Sequence, residues 1–182
     1  MKGLILLADF FEDSEAIITI DLLRRAKIDV DLVSIKDTKE LTTQSNIKVL
    51  ADMTIDDIVL DDYEFMILPG GKAVFNTHLE SEITKGCIYH FALENKLVAA
   101  ICAAPSVLGV MGLLQGKNYV CFPGCENIEF GGNLKIDECV TDGNIITAKA
   151  AGSTFMFAHA IIKYLKSKEL ADQILNQVYY QK

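Results

Sequence analysis

The chain has 182 residues, of which 51% are apolar and 23% are charged, and its formal net charge is -8. That length and apolar content predict one globular domain over residues 1–182 and exclude a disordered chain. The acidic balance argues against a nucleic-acid partner, because binding to a phosphate backbone needs clustered lysine and arginine.

The start of the chain and its cysteines indicate a cytoplasmic protein. The apolar run over residues 3–8 is too short for a secretory signal or a membrane span. The five cysteines form an odd set without regular spacing, which suits a reducing compartment better than a disulfide framework. We therefore expect a location in the cytoplasm and no membrane partner.

The first third of the chain predicts a strand, a helix and a second strand. Residues 3–8 (GLILLA) are almost wholly apolar, as in a central parallel strand that is covered on both faces. Acidic residues at the start and basic residues at the end of the segment 12–27 favour a helix. Apolar and polar residues alternate over residues 28–35, which predicts a strand, and short β-type segments follow between residues 42 and 55.

The middle of the chain continues this alternation. Residues 65–68 predict a buried strand that ends in a Pro-Gly-Gly loop, and residues 82–95 predict a helix. Residues 97–101 predict another buried strand. A helix that opens with proline is predicted directly after it, over residues 105–114.

The last part of the chain predicts a hairpin and a helix. Asp142 and Gly143 stand between β-type residues, which indicates a hairpin over residues 138–148, and residues 152–166 predict the final long helix. Strands that alternate with helices predict an α/β fold with a doubly wound, mostly parallel sheet sandwiched by helices. In such folds, ligands bind beyond the carboxyl ends of the strands.

Three strands of the predicted sheet end in residues that could carry chemistry. Residues 9–15 follow the first strand, Gly70 and Gly71 follow a second, and Cys102 follows a third. Only Cys102 and two alanines separate strand from helix, so a sharp turn would project the sulfur, and the helix amino end would favour the thiolate. The alternative is that Cys102 is a small buried apolar side chain, as free cysteines often are.

Several segments together resemble one known family. AAICAAPSVLG is similar to the nucleophile segment of the DJ-1/ThiJ/PfpI superfamily, and LPGG is similar to its upstream glycine loop. The likeness extends over LILLADFFEDSEA, DLLRRAKIDVDLVSI and ITAKAAGSTFMFAHAI, and therefore over most of the chain. The resemblance implies a flavodoxin-like fold with a nucleophile elbow, a homodimer, and activity without a cofactor.

The resemblance also implies roles for particular residues. Cys102 would be the reactive cysteine, and Glu15 would be the carboxyl group that hydrogen-bonds it. The backbone N–H groups of Gly71 and Ala103 would form an oxyanion site, with Gly70 in the same glycine loop. Glycine suits this role because it lets the backbone approach a ligand closely.

Glu15 also has a simpler explanation. Glu12, Asp13 and Glu15 all lie near a predicted helix start, where a negative charge contributes about 0.3–1 kcal/mol of stability. Only the resemblance selects Glu15 among these acids. Its role would then be that of a carboxyl group kept protonated by burial and by the adjacent thiolate.

Two positions depart from the family pattern. Phe122 precedes Pro123 where many members have a histidine, so no imidazole is available there. Ala103 follows the cysteine where the protease-like branch has a histidine base, which argues against peptidase activity. Of the three histidines, His78 is the one to examine as a base, because it lies downstream of the glycine loop.

The sequence predicts neither a metal nor a nucleotide site. Cys121 and Cys125 are four residues apart, but a structural zinc site needs four ligands and no second pair accompanies them. The Gly-Gly-Lys run that ends at Lys72 lacks the full phosphate-loop pattern. Lys149, where the family often has arginine, is expected to be a surface or dimer-contact charge.

Two functions agree with these observations. The first is a stress-protective enzyme that acts on small reactive carbonyls of the methylglyoxal or glyoxal class, in the manner of glyoxalase or deglycase members, with Cys102 as nucleophile and Glu15 as proton carrier. The second is a redox-sensing or chaperone-like protein in which Cys102 is oxidised to sulfinic acid, with little or no turnover. A plain structural module would leave the turn at Cys102 unexplained.

Overall fold

A seven-stranded sheet lies at the centre of the computed structural model, which describes residues 1–180. In chain order, the strands are β1 (Lys2–Leu7), β2 (Asp29–Ser34), β3 (Glu40–Thr42), β4 (Lys48–Leu50), β5 (Met53–Thr54), β6 (Phe65–Leu68), β7 (Leu97–Ile101), β8 (Asn118–Tyr119), β9 (Asn133–Leu134), β10 (Cys139–Asp142) and β11 (Ile145–Ala148). The central sheet has the order β10-β11-β7-β6-β1-β2-β5. Every neighbouring pair in it is parallel except β10 and β11, which form the predicted hairpin.

Five α-helices flank this sheet in the described part of the chain. They are α1 (Asp13–Arg25), α2 (Glu82–Leu93), α3 (Pro105–Val110), α4 (Thr154–Leu165) and α5 (Lys168–Gln177). Helix α1 packs on α4, α4 packs on α5, and α2 packs on β6 and β7. The predicted α/β fold with a mostly parallel sheet is therefore confirmed. Between residues 1 and 180, no helix combines the length and the apolar character that a membrane crossing requires.

The middle strands explain where the three chemistry-bearing segments meet. Every residue of β6 and β7 is buried, and β1 is buried from its second residue onward. Strand β6 pairs in parallel with both β1 and β7, so the three strands point the same way. Their carboxyl ends consequently lie side by side at one edge of the sheet, where α/β proteins place their ligand sites.

One predicted helix end was wrong. The helix that begins at Pro105 ends at Val110 instead of residue 114. Gly112 follows with a φ of 76°, a left-handed conformation that a helix cannot continue and that glycine adopts without strain.

The helix predicted as the final one is not the last. Helix α4 is followed after two residues by α5, whose first turn is capped by the Ser167 hydroxyl accepting the Leu170 N–H at 3.2 Å. Ala171 and Ile174 are buried, so α5 is held by its apolar face. The capping serine and this spacing were visible in the sequence and were overlooked.

Two glycine-to-alanine substitutions should have opposite effects on stability. A Cβ at Gly3 would lie 2.1 Å from the Phe65 ring, so we expect Gly3→Ala to lower the free energy of unfolding by about 1–3 kcal/mol through overpacking. Gly86 lies inside α2 with no atom within 4 Å of an added Cβ, so Gly86→Ala should raise it by about 0.5–1 kcal/mol. Urea unfolding measures both. Equal effects of the two variants would contradict the tight packing of β1 against β6.

Candidate active site

The glycine loop after β6 joins the segment after β1 through backbone and side-chain contacts. Gly71 forms an isolated antiparallel bridge with Phe11, and the Glu12 N–H donates to the Gly70 carbonyl at 3.1 Å. The Gly70 N–H donates to Glu15 Oε2 at 2.8 Å. Two of the three segments singled out by the sequence are therefore bound directly to each other.

Cys102 occupies the turn between β7 and α3. Its φ is 64°, a left-handed conformation that non-glycine residues rarely adopt and that is often found at functional sites. The backbone on both sides is fixed, because the Cys102 N–H donates to the Ala148 carbonyl at 2.9 Å and the Cys102 carbonyl accepts the Phe122 N–H at 2.7 Å. The neighbouring strand and the loop at residue 122 thus hold the strained residue in place.

Glu15 is a buried acid and does not behave as a surface charge at a helix start. Its side chain is fully buried, whereas Glu12 caps α1 by accepting the Glu15 N–H at 2.8 Å. Burial raises the pKa of Glu15 to about 7; the hydrogen bond from the Gly70 N–H lowers the pKa, and the Glu12 charge raises it. The other oxygen, Oε1, is buried and accepts no hydrogen bond. Loss of the proton would therefore leave a buried charge poorly compensated.

The thiol of Cys102 interacts with that same carboxyl group. Burial, followed by the negative charge of Glu15, raises the pKa of Cys102 to about 12, while hydrogen bonds from the Ala103 and Gly71 N–H groups lower it. The prediction that the helix amino end makes Cys102 a low-pKa thiol was therefore wrong. Helix α3 has only six residues. The effect of its amino end on the Cys102 pKa is smaller than the opposing effect of burial beside Glu15.

Two negative charges cannot be held together in this buried place. The charge of Glu15 raises the pKa of Cys102, whereas the hydrogen bond with Cys102 lowers the pKa of Glu15, so Glu15 loses its proton before Cys102 does. When Glu15 is protonated, its charge no longer opposes the thiolate, and the two backbone N–H groups remain to stabilise the sulfur. The chemistry of Cys102 consequently depends on the proton of Glu15.

Gly70 makes the contact between acid and thiol possible. A Cβ at this position would lie 2.6 Å from Cys102 Cβ, 2.7 Å from Glu15 Oε2 and 3.1 Å from Cys102 Sγ. Any other residue would have to displace one of the two side chains. Gly70 was assigned to the loop from the sequence, and the structure places it directly between the two groups.

The sulfur opens into a cavity of about 240 Å³. The cavity is lined by Glu12, Gln44, Gly71, Lys72, Phe75, Cys102, Ala103, Phe122 and Cys125. The sequence analysis missed Gln44 and Phe75, and it considered Cys125 only as a metal ligand. Gln44 and Cys125 lie in loops, and Phe75 lies in the short helical turn Val74–His78. None of these segments is long enough to show a periodic pattern, so the sequence carries no local signal for them.

The whole chain can now be compared with known proteins. The sequence model of the DJ-1/PfpI family matches residues 1–164. The chain belongs to the DJ-1/PfpI family. The chain is 30% identical over 175 residues to protein dj-1beta of Drosophila melanogaster, and the alignment covers 95% of this chain and 94% of the fly protein.

Three further relatives are similar to this chain over most of its length. A protein from Pyrococcus abyssi named a deglycase is 30% identical over 168 residues, which cover 91% of this chain and 100% of that protein. Protein DJ-1 homolog B of Arabidopsis thaliana is 31% identical over 173 residues, 94% of this chain but only 39% of the plant protein. The structure of oxidised Toxoplasma gondii DJ-1 superposes with a TM-score of 0.89 at 30% identity, covering 100% of this chain and 99% of that chain.

Other residues considered from the sequence lie outside the cavity of this DJ-1/PfpI domain. His78 is fully buried, its Nδ1 is 2.9 Å from the Thr84 hydroxyl, and burial lowers its pKa to about 4, so it is a neutral core residue. The Lys149 ammonium donates to the Ile136 carbonyl at 2.8 Å. Cys121 is buried, with Sγ 3.9 Å from Glu126 Oε2.

Glu15 should make stability depend on pH in a way that Glu15→Gln removes. Because the Glu15 pKa rises from 4.5 to about 7 on folding, the folded chain keeps a proton that the unfolded chain releases between these values. Its contribution to the free energy of unfolding falls as pH rises through that window, by about 3 kcal/mol at most. We therefore expect Glu15→Gln to gain stability relative to the parent protein from pH 4.5 to pH 8, up to that amount.

Urea unfolding at several pH values measures this difference. The matched control is Glu82→Gln, which changes an exposed acid in the first turn of α2 and should give a curve parallel to that of the parent protein. A parallel curve for Glu15→Gln as well would contradict the raised pKa of Glu15.

Proposed function

We propose that this protein is a cofactor-independent, stress-protective enzyme that converts small reactive carbonyls of the methylglyoxal or glyoxal class into hydroxy acids. The observation that carries the proposal is the meeting of a thiol with a carboxyl group whose pKa is about 7 and with two backbone N–H groups. The thiol opens into the cavity, and the carboxyl group lies buried behind it. Relatives named deglycases support the same chemical class.

The first step would use Cys102 as the nucleophile. The thiol gives its proton to water, the thiolate attacks the aldehyde carbon of methylglyoxal, and protonated Glu15 gives its proton to the carbonyl oxygen. The products are a hemithioacetal and a Glu15 carboxylate. The N–H groups of Gly71 and Ala103, which already point at the sulfur, would stabilise negative charge that develops beside it. Burial removes competing water and strengthens these contacts.

Glu15 would then move one proton. As a carboxylate it removes the hydrogen from the carbon bonded to sulfur, and as an acid it returns that proton to the adjacent carbon, while the hydroxyl proton passes to the neighbouring oxygen. The product is a lactoyl thioester, and water hydrolyses it to lactate and the free thiol. No oxidant or reductant is needed, because one carbon is oxidised while its neighbour is reduced. A pKa near neutrality suits a group that must both accept a proton and donate it again.

The aromatic side chain of Phe122 limits the proton-transfer chemistry that the cavity can support. Phe122 is half-exposed in the cavity and supplies no proton-transfer group. Glu15 must therefore perform both proton transfers alone, which favours modest turnover. Ala103 likewise provides no base next to the cysteine, so peptidase activity is not part of the proposal.

A redox role is the second candidate, and it uses the same two residues. Two equivalents of peroxide would oxidise the Cys102 thiol to a sulfinic acid, with two waters as the other product, and a protonated Glu15 could donate a hydrogen bond to the sulfinate. The structural likeness to an oxidised DJ-1 from Toxoplasma gondii favours this role. The homodimer and the cytoplasmic location stay predictions from the sequence.

Lactate formation from methylglyoxal distinguishes the two roles. We expect the parent protein to form lactate, Cys102→Ser to form none, and Glu15→Gln to be slower by about 100-fold or more, because a positioned acid–base group contributes that much. Cys87→Ala should match the parent, since Cys87 lies in α2 away from the cavity. Lactate should be measured directly, because loss of methylglyoxal alone also follows simple adduct formation.

A parent protein that forms no more lactate than Cys102→Ser would refute the enzymatic proposal. The redox role would then be tested by peptide mass spectrometry after mild peroxide treatment. That role requires two oxygen atoms on Cys102 before any other cysteine is oxidised.

A further inference from the structure

A second cluster of reactive side chains lies far from Cys102 along the fold. It consists of Asp61, His90 and Glu94, hereafter the amino-edge cluster. His90 and Glu94 lie at the end of α2, just before β7 begins, and Asp61 lies in the short 3-10 turn before β6. The cluster is therefore next to the amino ends of these two strands, whereas Cys102 follows the carboxyl end of β7.

The distances within the cluster suit a metal ion. His90 Nε2 is 3.5 Å from Asp61 Oδ1 and 3.9 Å from Glu94 Oε2. Within residues 1–180, this is the one group of three histidine, cysteine or acidic side chains whose ligand atoms all lie within 4.8 Å of one another. Ligand atoms bound to one tetrahedral ion at about 2.0–2.1 Å lie roughly 3.3 Å apart, so small side-chain movements would close the site.

The nitrogen of His90 lacks any other partner. Its Nε2 is buried and makes no hydrogen bond, although two carboxylate oxygens lie just beyond hydrogen-bonding distance. A buried polar atom is normally satisfied, and an imidazole nitrogen between two carboxylates is a common arrangement of metal ligands. The backbone adds to this preference, because the carboxyl end of a helix carries partial negative charge that attracts cations.

One positive group competes for the site. Lys96 Nζ lies 2.7 Å from Glu94 Oε2 and would share or lose this contact when a metal ion binds. The side chain of Asp61 is 77% exposed, so the site opens to solvent and water can complete the coordination. One nitrogen and two oxygens suit Zn²⁺ or Co²⁺ with open positions, and they differ from the sulfur ligands that the cysteines would offer.

We propose that Asp61, His90 and Glu94 bind one divalent transition-metal ion of the Zn²⁺ class. The site is independent of the carbonyl chemistry at Cys102. The competing arrangement is a simple ion triad, in which a protonated His90 contacts both carboxylates and no metal is bound.

Calorimetric titration of the full chain with Zn²⁺ tests the proposal. We expect one binding site in the parent protein, and affinity at least about tenfold weaker in His90→Gln and in Asp61→Asn, because each loses a ligand. Lys96→Gln should bind Zn²⁺ severalfold more tightly, because it frees Glu94. The matched control is His159→Gln, since His159 contacts only Asp172 among the acids, at 2.8 Å, and should leave the affinity unchanged.

Replacing Zn²⁺ by Co²⁺ identifies the ligands spectroscopically. Nitrogen and oxygen ligands give visible d–d bands without sulfur-to-cobalt charge transfer, and these bands should disappear in His90→Gln. Equal affinity in the parent, His90→Gln and Asp61→Asn would overturn the proposal, because the metal would then be bound elsewhere. A sulfur-to-cobalt charge-transfer band that the His90 substitution leaves in place would also overturn it and would assign the metal to the cysteines. Absence of binding at about 1 mM Zn²⁺, the weak end of specific affinities, would overturn it in favour of the ion triad.

Discussion

The contact between the buried Glu15 carboxyl and the Cys102 thiol determines which of these two groups can carry a negative charge. Glu15 is fully buried and Cys102 is partly buried beside it, and the ion pairs in the described residues include neither of them. Burial then raises both pKa values, and the charge of one group opposes that of the other. Cys102 therefore forms a thiolate more easily when Glu15 is protonated.

Several costly features of the fold serve this contact. Cys102 keeps a left-handed backbone because the Ala148 carbonyl and the Phe122 N–H hold it from both sides. Gly70 keeps the space between acid and thiol free, and its N–H fixes one oxygen of Glu15. The parallel arrangement of β1, β6 and β7 brings these residues together at one edge of the sheet. The contact between Glu15 and Cys102 is therefore a property of the whole sheet, and no single segment produces it.

The sequence predicted the sheet well because the signals were local. Continuous apolar runs marked β1, β6 and β7, and the short link from strand to helix located the turn at Cys102. Helix α5 was missed although its capping residue, Ser167, and its apolar spacing are also local signals. The resemblance to a family, and not any pattern in the residues, distinguished Glu15 from its acidic neighbours.

Other features could not be read from the chain, because they depend on three-dimensional burial. The raised pKa of Cys102 follows from desolvation beside Glu15, which opposes the expectation from helix electrostatics. The cavity walls at Gln44 and Phe75 and the amino-edge cluster join residues that are distant in sequence. The spacing of apolar and polar residues along the chain carries no information about which distant residues come into contact.

The most direct test of this account is the titration of the Glu15 carboxyl group itself. Carbon-13 NMR of protein labelled at the glutamate side-chain carboxyl follows each acid from pH 4 to pH 9, and the spectrum of Glu15→Gln identifies the signal of Glu15. The account predicts that this signal stays in its protonated position well above pH 4.5 and changes with a midpoint near pH 7. A midpoint near 4.5, together with the exposed glutamates, would show an ordinary ionised acid beside Cys102 and would contradict the account.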